Sequence, residues 1–245
     1  MNHLIALEVR KQPDELTCGP TCLYSMYQFY GEKWDLEKIV SEVSMLDEGG
    51  TLAANLGVHA LSNNFQAELY TYNLAIFDPT WLNLPKRSIL KKLKEQAKGK
   101  ALDAKLLKGR QAYMQYLEKG GQLKFKDLNR KLLEKHLSQN QPIIAGLSAT
   151  YLYRSCRENP VTNQFEDVMG YPSGHFVVLT GIDLKRNRII LSDPLQPNPL
   201  SPHAVYDADI DHLICAILLG VVTYDANLLI ITPSKKTKRT KIQKG

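Results

Sequence analysis

Two short segments far apart in the chain limit the possible folds more than any other feature. The first, residues 12–31, contains C-G-P-T-C, and the second, residues 174–194, contains a buried-type strand and a D-P turn. A thiol nucleophile needs a base, the base needs an acceptor that orients it, and the developing oxyanion needs a donor. The two segments supply one candidate for each role: Gln12, Cys18, His175 and Asp193. The chain is therefore expected to fold so that these segments meet, although 157 positions separate the cysteine from the histidine.

The first segment predicts a helix that begins next to Cys18. Residues 19–30 have a proline suited to the first turn and a glycine, Gly31, suited to ending the helix. An apolar stripe follows helical spacing: Leu23, Met26, Tyr27 and Tyr30. Cys18 would then face free backbone N–H groups and the positive end of the helix dipole, an environment that favours the thiolate. Cys22, one turn later, would point into the interior.

The other three residues have expected roles around that thiol. Gln12 precedes Cys18 by six residues, across a turn, and its side-chain amide could join the Cys18 N–H in binding an oxyanion. His175 opens an apolar strand, and Asp193 ends the returning strand before Pro194. We expect Asp193 to accept a hydrogen bond from His175 Nδ1, so that Nε2 faces Cys18. A strict hairpin would leave Asp193 a few residues short of His175, so strand twist, a bulge or a wider loop must make up the difference.

The pattern of elements predicts an α+β fold in which an N-terminal nucleophile helix packs on a C-terminal antiparallel sheet. Residues 1–233 are expected to form one domain, with 78–140 as a mainly helical insertion and 234–245 as a basic, disordered tail. Further helices are predicted near 35–43, 51–62, 86–98, 101–119, 127–137 and 210–218. Further strands are predicted near 3–9, 67–72, 142–147 and 228–231, with a long loop at 150–174.

The charge of the chain is unevenly distributed. The formal net charge is +6, but the tail alone contributes +6 and residues 86–110 contribute +8, which leaves −8 for the remainder. Neither basic stretch has interleaved aromatic residues, so a nucleic-acid partner is not expected. The basic insertion could hold an acidic protein partner, although a solvated helix face explains it as well.

The sequence also predicts the cellular location of the protein. No signal peptide or membrane-spanning stretch is evident, because the longest apolar run, 214–222, is too short. Four cysteines without a secretory signal favour free thiols in the cytoplasm.

The cysteines allow two other interpretations. Cys18 and Cys22 together with His212 and Cys215 could hold zinc, but zinc would consume the proposed nucleophile, and no metal or other cofactor is expected. A redox pair is disfavoured because the spacing is not C-x-x-C. Cys156 is interpreted as a bystander. The remaining histidines lack a partner pattern and are expected on the surface or in packing: His3, His59, His136 and His203.

These motifs resemble the peptidase C39 family, a branch of the papain-like cysteine peptidases. The resemblance rests on Q12-x5-C18-G-P-T-C22-L, on Y30-G31, on G174-H175-F-V-V and on D193-P194. It implies a papain-like fold in which the glutamine lines the oxyanion hole, the cysteine attacks, the histidine moves protons and the aspartate orients it. The best-known members are peptidase domains of bacteriocin exporters that cut after a double glycine. They are shorter between Cys and His and precede a membrane domain, so substrate identity does not follow.

Three functions remain open at this level. The favoured one is a thiol hydrolase that acts on a peptide or other amide bond. An acyltransferase with the same residues, in which an amine replaces water, is not distinguished from it. A non-catalytic binding protein with the same fold is disfavoured, because all four catalytic-type residues are present.

Overall fold

One mixed sheet runs through the described part of the chain, which comprises residues 2–47, 49–100, 103–159, 161–162 and 164–234 of the computed structural model. The sheet has eight strands in the order β3-β2-β10-β4-β7-β8-β9, with β1 pairing to β7. Its strands are β1 (Asn2–Leu4), β2 (Phe65–Thr71), β3 (Gln122–Lys124), β4 (Ile143–Ser148), β7 (Gly174–Asp183), β8 (Arg188–Ser192), β9 (Val205–Asp209) and β10 (Asn227–Pro233). A separate short hairpin consists of β5 (Glu158–Asn159) and β6 (Gln164–Phe165).

Helices cover the sheet and the ends of its strands. They are α1 (Cys18–Phe29), α2 (Leu36–Glu42), α3 (Ala53–Ser62), α4 (Lys86–Gly99), α5 (Ala104–Glu118), α6 (Arg130–Leu137), α7 (Ala149–Tyr153) and α8 (Ile210–Leu219). Two 3₁₀ turns lie at Pro79–Trp81 and Gly220–Thr223. None of the described helices combines the length and the apolar character that crossing a bilayer requires.

The predicted α+β arrangement is confirmed, with some corrections to its elements. Every pairing in the main sheet is antiparallel except that of β2 with β3, and neither β3 nor β9 was expected. Both are short strands without a clear apolar alternation, so they are recognised only by their hydrogen bonds to the neighbouring strands β2 and β8. The predicted strand at 3–9 ends at Leu4. The helix predicted near 51–62 begins at Ala53, and the Thr51 hydroxyl before it donates to the Ser44 carbonyl at 2.7 Å.

Helix α1, which carries Cys18, packs directly on the central strand β7. Its end follows the sequence expectation, since Gly31 adopts a positive φ of 76° directly after the last turn. On the buried face, the Cys22 thiol donates to the Phe176 carbonyl at 3.3 Å, and its side chain is fully buried. Gly19 contributes by close approach, because a Cβ there would come within 2.6 Å of Thr51 and 3.2 Å of Phe176. The Cys22–Phe176 hydrogen bond and the close approach at Gly19 together hold Cys18 against the start of β7.

The predicted helical insertion, 78–140, contributes to the main sheet and to the core. It holds α4, α5 and α6, and its strand β3 pairs with β2. Tyr116 of α5 is fully buried, and its hydroxyl donates to the Ala67 carbonyl at 2.7 Å. A buried tyrosine whose hydroxyl is hydrogen-bonded stabilises the core both by burying a large apolar ring and by a specific polar contact. The predicted basic tail lies outside the described residues from 235 onward.

We predict that the packing between α3 and α5 tolerates no added methyl group. A Cβ at Gly57 would lie 2.5 Å from Tyr116 Cε2, whereas a Cβ at Gly99, in the last turn of α4, would meet nothing within 4 Å. Gly57→Ala should lower the free energy of unfolding by about 1–3 kcal/mol through overpacking. Gly99→Ala is the matched control and should raise it by up to about 1 kcal/mol, because alanine favours helix. Urea unfolding of both variants measures the difference, and equal midpoints would contradict this description of the core.

Candidate functional site

The candidate site is a cleft of about 520 Å³ at the junction of α1 and β7. Cys18, the first residue of α1, and His175, the second residue of β7, both line it, and each is less than a tenth exposed. The Cys18 side chain lies close enough to the His175 ring to raise the pKa of that histidine. The two predicted segments therefore meet as the sequence required, with the thiol and the imidazole at the surface of one cavity.

The loop before α1 holds Cys18 at the helix end. The Thr17 hydroxyl donates to the Asp14 carbonyl at 3.2 Å, and the Thr17 carbonyl accepts the first helical hydrogen bond, from Thr21 N–H, at 3.0 Å. Thr17 makes no side-chain cap to the helix. The first N–H groups of α1 consequently remain available beside the thiol, where the helix dipole favours negative charge.

The His175 ring is held on its other side by Asp193. A bulge between Leu179 and Gly181 shifts the register of β7 and β8, which is one of the expected ways of bringing Asp193 to His175. His175 Nε2 then lies 2.8 Å from Asp193 Oδ1. The expected choice of ring nitrogens is therefore wrong, since Nε2 meets Asp193 and Nδ1 remains for Cys18. Nε2 is the nitrogen farther from the backbone and reaches Asp193 beyond the end of β8, whereas Nδ1 stays near α1, which packs on β7.

Asp193 is fully buried and accepts four hydrogen bonds. His175 and the Leu195 N–H, at 2.9 Å, bond to Oδ1, while Tyr153 and Tyr206 hydroxyls, each at 2.7 Å, bond to Oδ2. The sequence analysis missed both tyrosines. Their only sequence signal is general, since a buried tyrosine hydroxyl needs a polar partner. Together these donors replace the water that a buried carboxylate has lost.

The electrostatics of the site favour an ion pair. Burial alone would lower the pKa of His175, but the charge of the Cys18 thiolate, together with the hydrogen bond and charge of Asp193, raises it to about 10. Burial alone would raise the pKa of Asp193, but the charge of His175 and the hydrogen bonds from His175, Tyr153 and Tyr206 lower it below its ordinary value. The imidazole is therefore protonated at neutral pH, between two groups that stabilise its charge.

Gln12 is anchored next to this group, but it is not in the wall of the cleft. Its backbone N–H donates to the Pro194 carbonyl at 3.0 Å, which ties the loop before α1 to the residue after Asp193. Its side-chain Nε2 donates to the Asp14 carbonyl at 2.8 Å. Its Oε1 is buried and accepts no hydrogen bond among the described residues. The role of Gln12 in binding an oxyanion stays a prediction.

The remaining cysteines and histidines lie apart from this chemistry. Burial raises the pKa of Cys22 well above its ordinary value, and the charges of Cys18 and Asp193 act in the same direction. His59 and His136 are buried packing residues, bonded to Tyr27 at 2.8 Å and to Tyr70 at 3.0 Å respectively. Within the described ranges, no three His, Cys, Asp or Glu side chains are grouped so as to hold a metal ion.

We predict that His175 titrates far above the other buried histidines. Burial is the largest cause that lowers the pKa of His59 and of His136, whereas the pKa of His175 is raised to about 10. In an NMR titration of ring-labelled histidines, His175 should stay protonated through neutrality and lose its proton only near pH 10. Cys18→Ala removes the largest cause that raises this pKa, so the midpoint should fall. Cys156→Ala, at an exposed thiol, is the control and should leave it unchanged. A neutral His175 at pH 7 in the unsubstituted protein would refute the ion pair.

Comparison with known proteins identifies the family to which the chain belongs. A model of the Peptidase_C39 like family matches residues 5–209, which include Gln12, Cys18, His175 and Asp193. A search of curated proteins gave no match. Similar solved structures include a double glycine motif protease from an AMS/PCAT transporter in complex with the leader peptide, which is 15% identical with 94% of each chain covered and a TM-score of 0.44.

Two further structures are similar to this chain. The peptidase domain of Streptococcus ComA, a bifunctional ABC transporter of a quorum sensing pathway, is 13% identical, with 93% of this chain and 99% of that chain covered and a TM-score of 0.43. A chain described as a C39-like peptidase from Bacillus anthracis is 15% identical, with 95% and 98% covered and a TM-score of 0.45. Because the family model spans most of the sequence, this chain belongs to the Peptidase_C39 like family.

Proposed function

We propose that the chain is a cysteine peptidase or amidase in which Cys18 is the nucleophile, His175 the proton carrier and Asp193 the residue that orients His175. One observation carries the proposal: the His175 ring is hydrogen-bonded to Asp193 and lies beside Cys18 in the wall of one cleft. A nucleophile, a base and an orienting acceptor in contact are the arrangement that thiol acyl transfer requires.

Acylation of Cys18 follows from the protonation state of the pair. The thiolate attacks the carbonyl carbon of the scissile amide, so a C–S bond forms and the carbonyl oxygen becomes negative. His175 Nδ1–H then donates its proton to the leaving nitrogen, the C–N bond breaks, and the amine departs. The proton comes from the imidazolium, because the raised pKa of His175 keeps the ring charged at neutral pH.

Two donors are proposed for the oxyanion. The Cys18 backbone N–H lies at the start of α1, where no earlier helical carbonyl accepts it. The Gln12 amide has two hydrogens on Nε2, of which the Asp14 carbonyl accepts one at 2.8 Å. The second hydrogen is the one proposed for the oxyanion. Loss of one such donor costs about 2.7–4 kcal/mol of transition-state stabilisation in enzymes of this kind.

Deacylation determines whether the product is an acid or a new amide. In hydrolysis, neutral His175 takes a proton from water, the hydroxide oxygen bonds to the thioester carbon, and the C–S bond breaks to regenerate the thiolate. An amine in place of water would make the chain an acyltransferase. The described cleft has no observation that favours the amine, so hydrolysis is proposed. All four cysteines are free, which suits the cytoplasm.

The basic segment of α4 is not proposed as a docking surface for an acidic protein. Lys94 Nζ lies 2.8 Å from Glu118 Oε1 of α5, and Lys92 Nζ lies 5.4 Å from the centre of the Trp81 ring. Lys91 also pairs with Glu95 at 3.8 Å. These partners within the chain moderate the like-charge repulsion that suggested an external acidic ligand.

We predict that Cys18 is the reactive thiol and is essential for turnover. Iodoacetamide at neutral pH should alkylate Cys18 ahead of the exposed Cys156 and Cys215, with Cys22 unmodified because it is buried. Peptide mass mapping measures the order. Against a mixed library of peptide and amide substrates, Cys18→Ser and His175→Ala should abolish turnover, whereas Cys156→Ser should retain it. Preferential labelling of Cys22, or full turnover by Cys18→Ser, would contradict the proposal.

We predict a graded loss of activity around Asp193. In Asp193→Asn, either orientation of the amide turns its NH₂ group toward two existing donors, so kcat/KM should fall by at least about 100-fold. Tyr206→Phe removes only one of the four donors and should reduce kcat/KM by about tenfold, as expected for one hydrogen bond to a charged group. Thermal denaturation of both variants serves as the folding control. Equal losses in two folded variants would refute the orienting role.

A further inference from the structure

A buried carboxyl group in the wall of the cleft, that of Asp225, has no role in the proposed chemistry. Asp225 lies between the 3₁₀ turn Gly220–Thr223 and strand β10, and it lines the same cavity as Cys18 and His175. It is only 8% exposed. Its backbone is fixed, since its N–H donates to the Gly220 carbonyl at 2.8 Å. The carboxyl group therefore has a defined position in the cleft.

That position is directly beside the proposed base. Gly174 immediately precedes His175, and a Cβ on Gly174 would overlap Asp225 Oδ2 and lie 3.0 Å from Thr223 Oγ1. A second glycine has a similar role, because a Cβ on Gly146 would overlap the Asp225 carbonyl oxygen. The chain thus has glycine at the two positions where any other residue would displace Asp225 from the cleft.

The surroundings of Asp225 only partly compensate its charge. Burial raises the pKa of Asp225 to about 7, although the charge of Lys105, the Thr223 hydroxyl and the charge of His175 each act to lower it. These three groups come from α5, from the 3₁₀ turn and from β7 respectively. The Thr223 hydroxyl also donates to the Gly220 carbonyl at 3.0 Å, and Lys105 Nζ lies 4.9 Å from the centre of the Tyr224 ring. A buried carboxylate whose charge is only partly compensated is stabilised by an additional cation beside it.

The charge of the whole cleft points to the same ligand. Its wall contains three carboxyl groups, from Glu15, Glu158 and Asp225, and one ammonium group, from Lys105. In the proposed chemistry Cys18 and His175 act as a thiolate–imidazolium pair, which adds no net charge. A cleft with a surplus of negative charge and partly desolvated walls favours positively charged ligands.

We propose that Asp225 determines specificity by holding a positively charged group of the substrate, the ammonium of a lysine side chain or of a peptide N-terminus, beside the scissile bond. The proposal rests on the proposed function, in which Cys18 attacks an amide in this cleft. It adds the chemical class of the substrate, namely cationic peptides or amines.

Two thiol reagents that differ only in charge test the subsite, and this test needs no known substrate. The Cys18 thiolate attacks the sulfur of a methanethiosulfonate, an S–S bond forms, and methanesulfinate leaves. The two probes are 2-(trimethylammonium)ethyl methanethiosulfonate, whose charge is permanent, and its neutral isostere 3,3-dimethylbutyl methanethiosulfonate. Cys156 and Cys215 are exposed, so both are first replaced by serine.

The measured quantity is the modification rate of Cys18 by the cationic probe divided by its rate with the neutral probe. It should fall by about tenfold in Asp225→Asn, the change expected from losing one partly buried charge near the probe. The control is Asp127→Asn, which removes an equal charge from an exposed residue that lines a different cavity. An unchanged ratio in folded Asp225→Asn, or an equal change in Asp127→Asn, would overturn the proposal.

The pH dependence of the ratio provides a second readout, which remains decisive if Asp225→Asn does not fold. Because the pKa of Asp225 is raised to about 7, its carboxyl is neutral below that pH and negative above it. In the protein that keeps Asp225 and carries only the two cysteine-to-serine changes, the cation-to-neutral ratio should therefore rise with pH, with a midpoint near 7. The ratio cancels the ionisation of Cys18, which affects both probes equally. A ratio that does not change through neutrality would overturn the proposal.

A substrate pair separates this proposal from the proposed function. Matched fluorogenic peptide libraries carry either lysine or its uncharged analogue norleucine next to the scissile bond. We expect lysine to be preferred by about tenfold, and the preference to disappear in Asp225→Asn. Cleavage with neither a lysine preference nor a preference for a free over an acetylated N-terminus next to the scissile bond would refute the subsite and leave the peptidase assignment intact. A charge-dependent probe ratio without any amide cleavage would instead refute the peptidase assignment.

Discussion

The Asp193 carboxylate is the group on which the rest of the site depends. A fully buried negative charge is costly unless donors and an opposite charge replace the lost water. Asp193 has both, since two tyrosine hydroxyls, one backbone N–H and the His175 ring donate to it. The next residue, Pro194, accepts the N–H of Gln12 and so joins the loop before α1 to the same turn. The hydrogen bonds that compensate this buried charge therefore also position His175, the proposed base, and the adjoining turn holds the loop before α1 beside it.

Two carboxyl groups near one imidazole have opposite electrostatic behaviour, and the difference comes from their surroundings. Asp193 has enough donors to offset burial, and its pKa lies below the ordinary value. Asp225 has fewer compensating groups, and burial raises its pKa to about 7. Two chemically identical side chains can therefore have different pKa values and different roles in one site, because their environments differ. Here Asp193 stabilises the charged imidazole, and Asp225 is proposed to recognise a charge on the substrate.

The helical segment between β2 and β4 belongs to the same physical unit as the site. Its strand β3 extends the main sheet, its buried Tyr116 packs against α3, and its Lys105 reaches the wall of the cleft. The concentration of lysines on α4, which suggested an external acidic partner, is partly balanced by contacts within the chain. The contribution of this segment to recognition is therefore expected at the cleft rather than on the outer face of α4.

The sequence by itself determined the parts of this protein that depend on local pattern and residue type. Helical spacing and the glycine at position 31 predicted α1 nearly to the residue, and the apolar runs predicted β7 and β8. The sequence left open whether twist, a bulge or a wider loop brings Asp193 to His175, and the structure has a bulge. The roles proposed for Cys18, His175 and Asp193 also came from residue type and order. Only the tertiary structure decided which ring nitrogen of His175 faces Asp193, because that choice depends on where α1 and the end of β8 lie. It also brought Tyr153, Tyr206 and Asp225 to the site, since contacts between residues distant in sequence leave no periodic pattern in the chain.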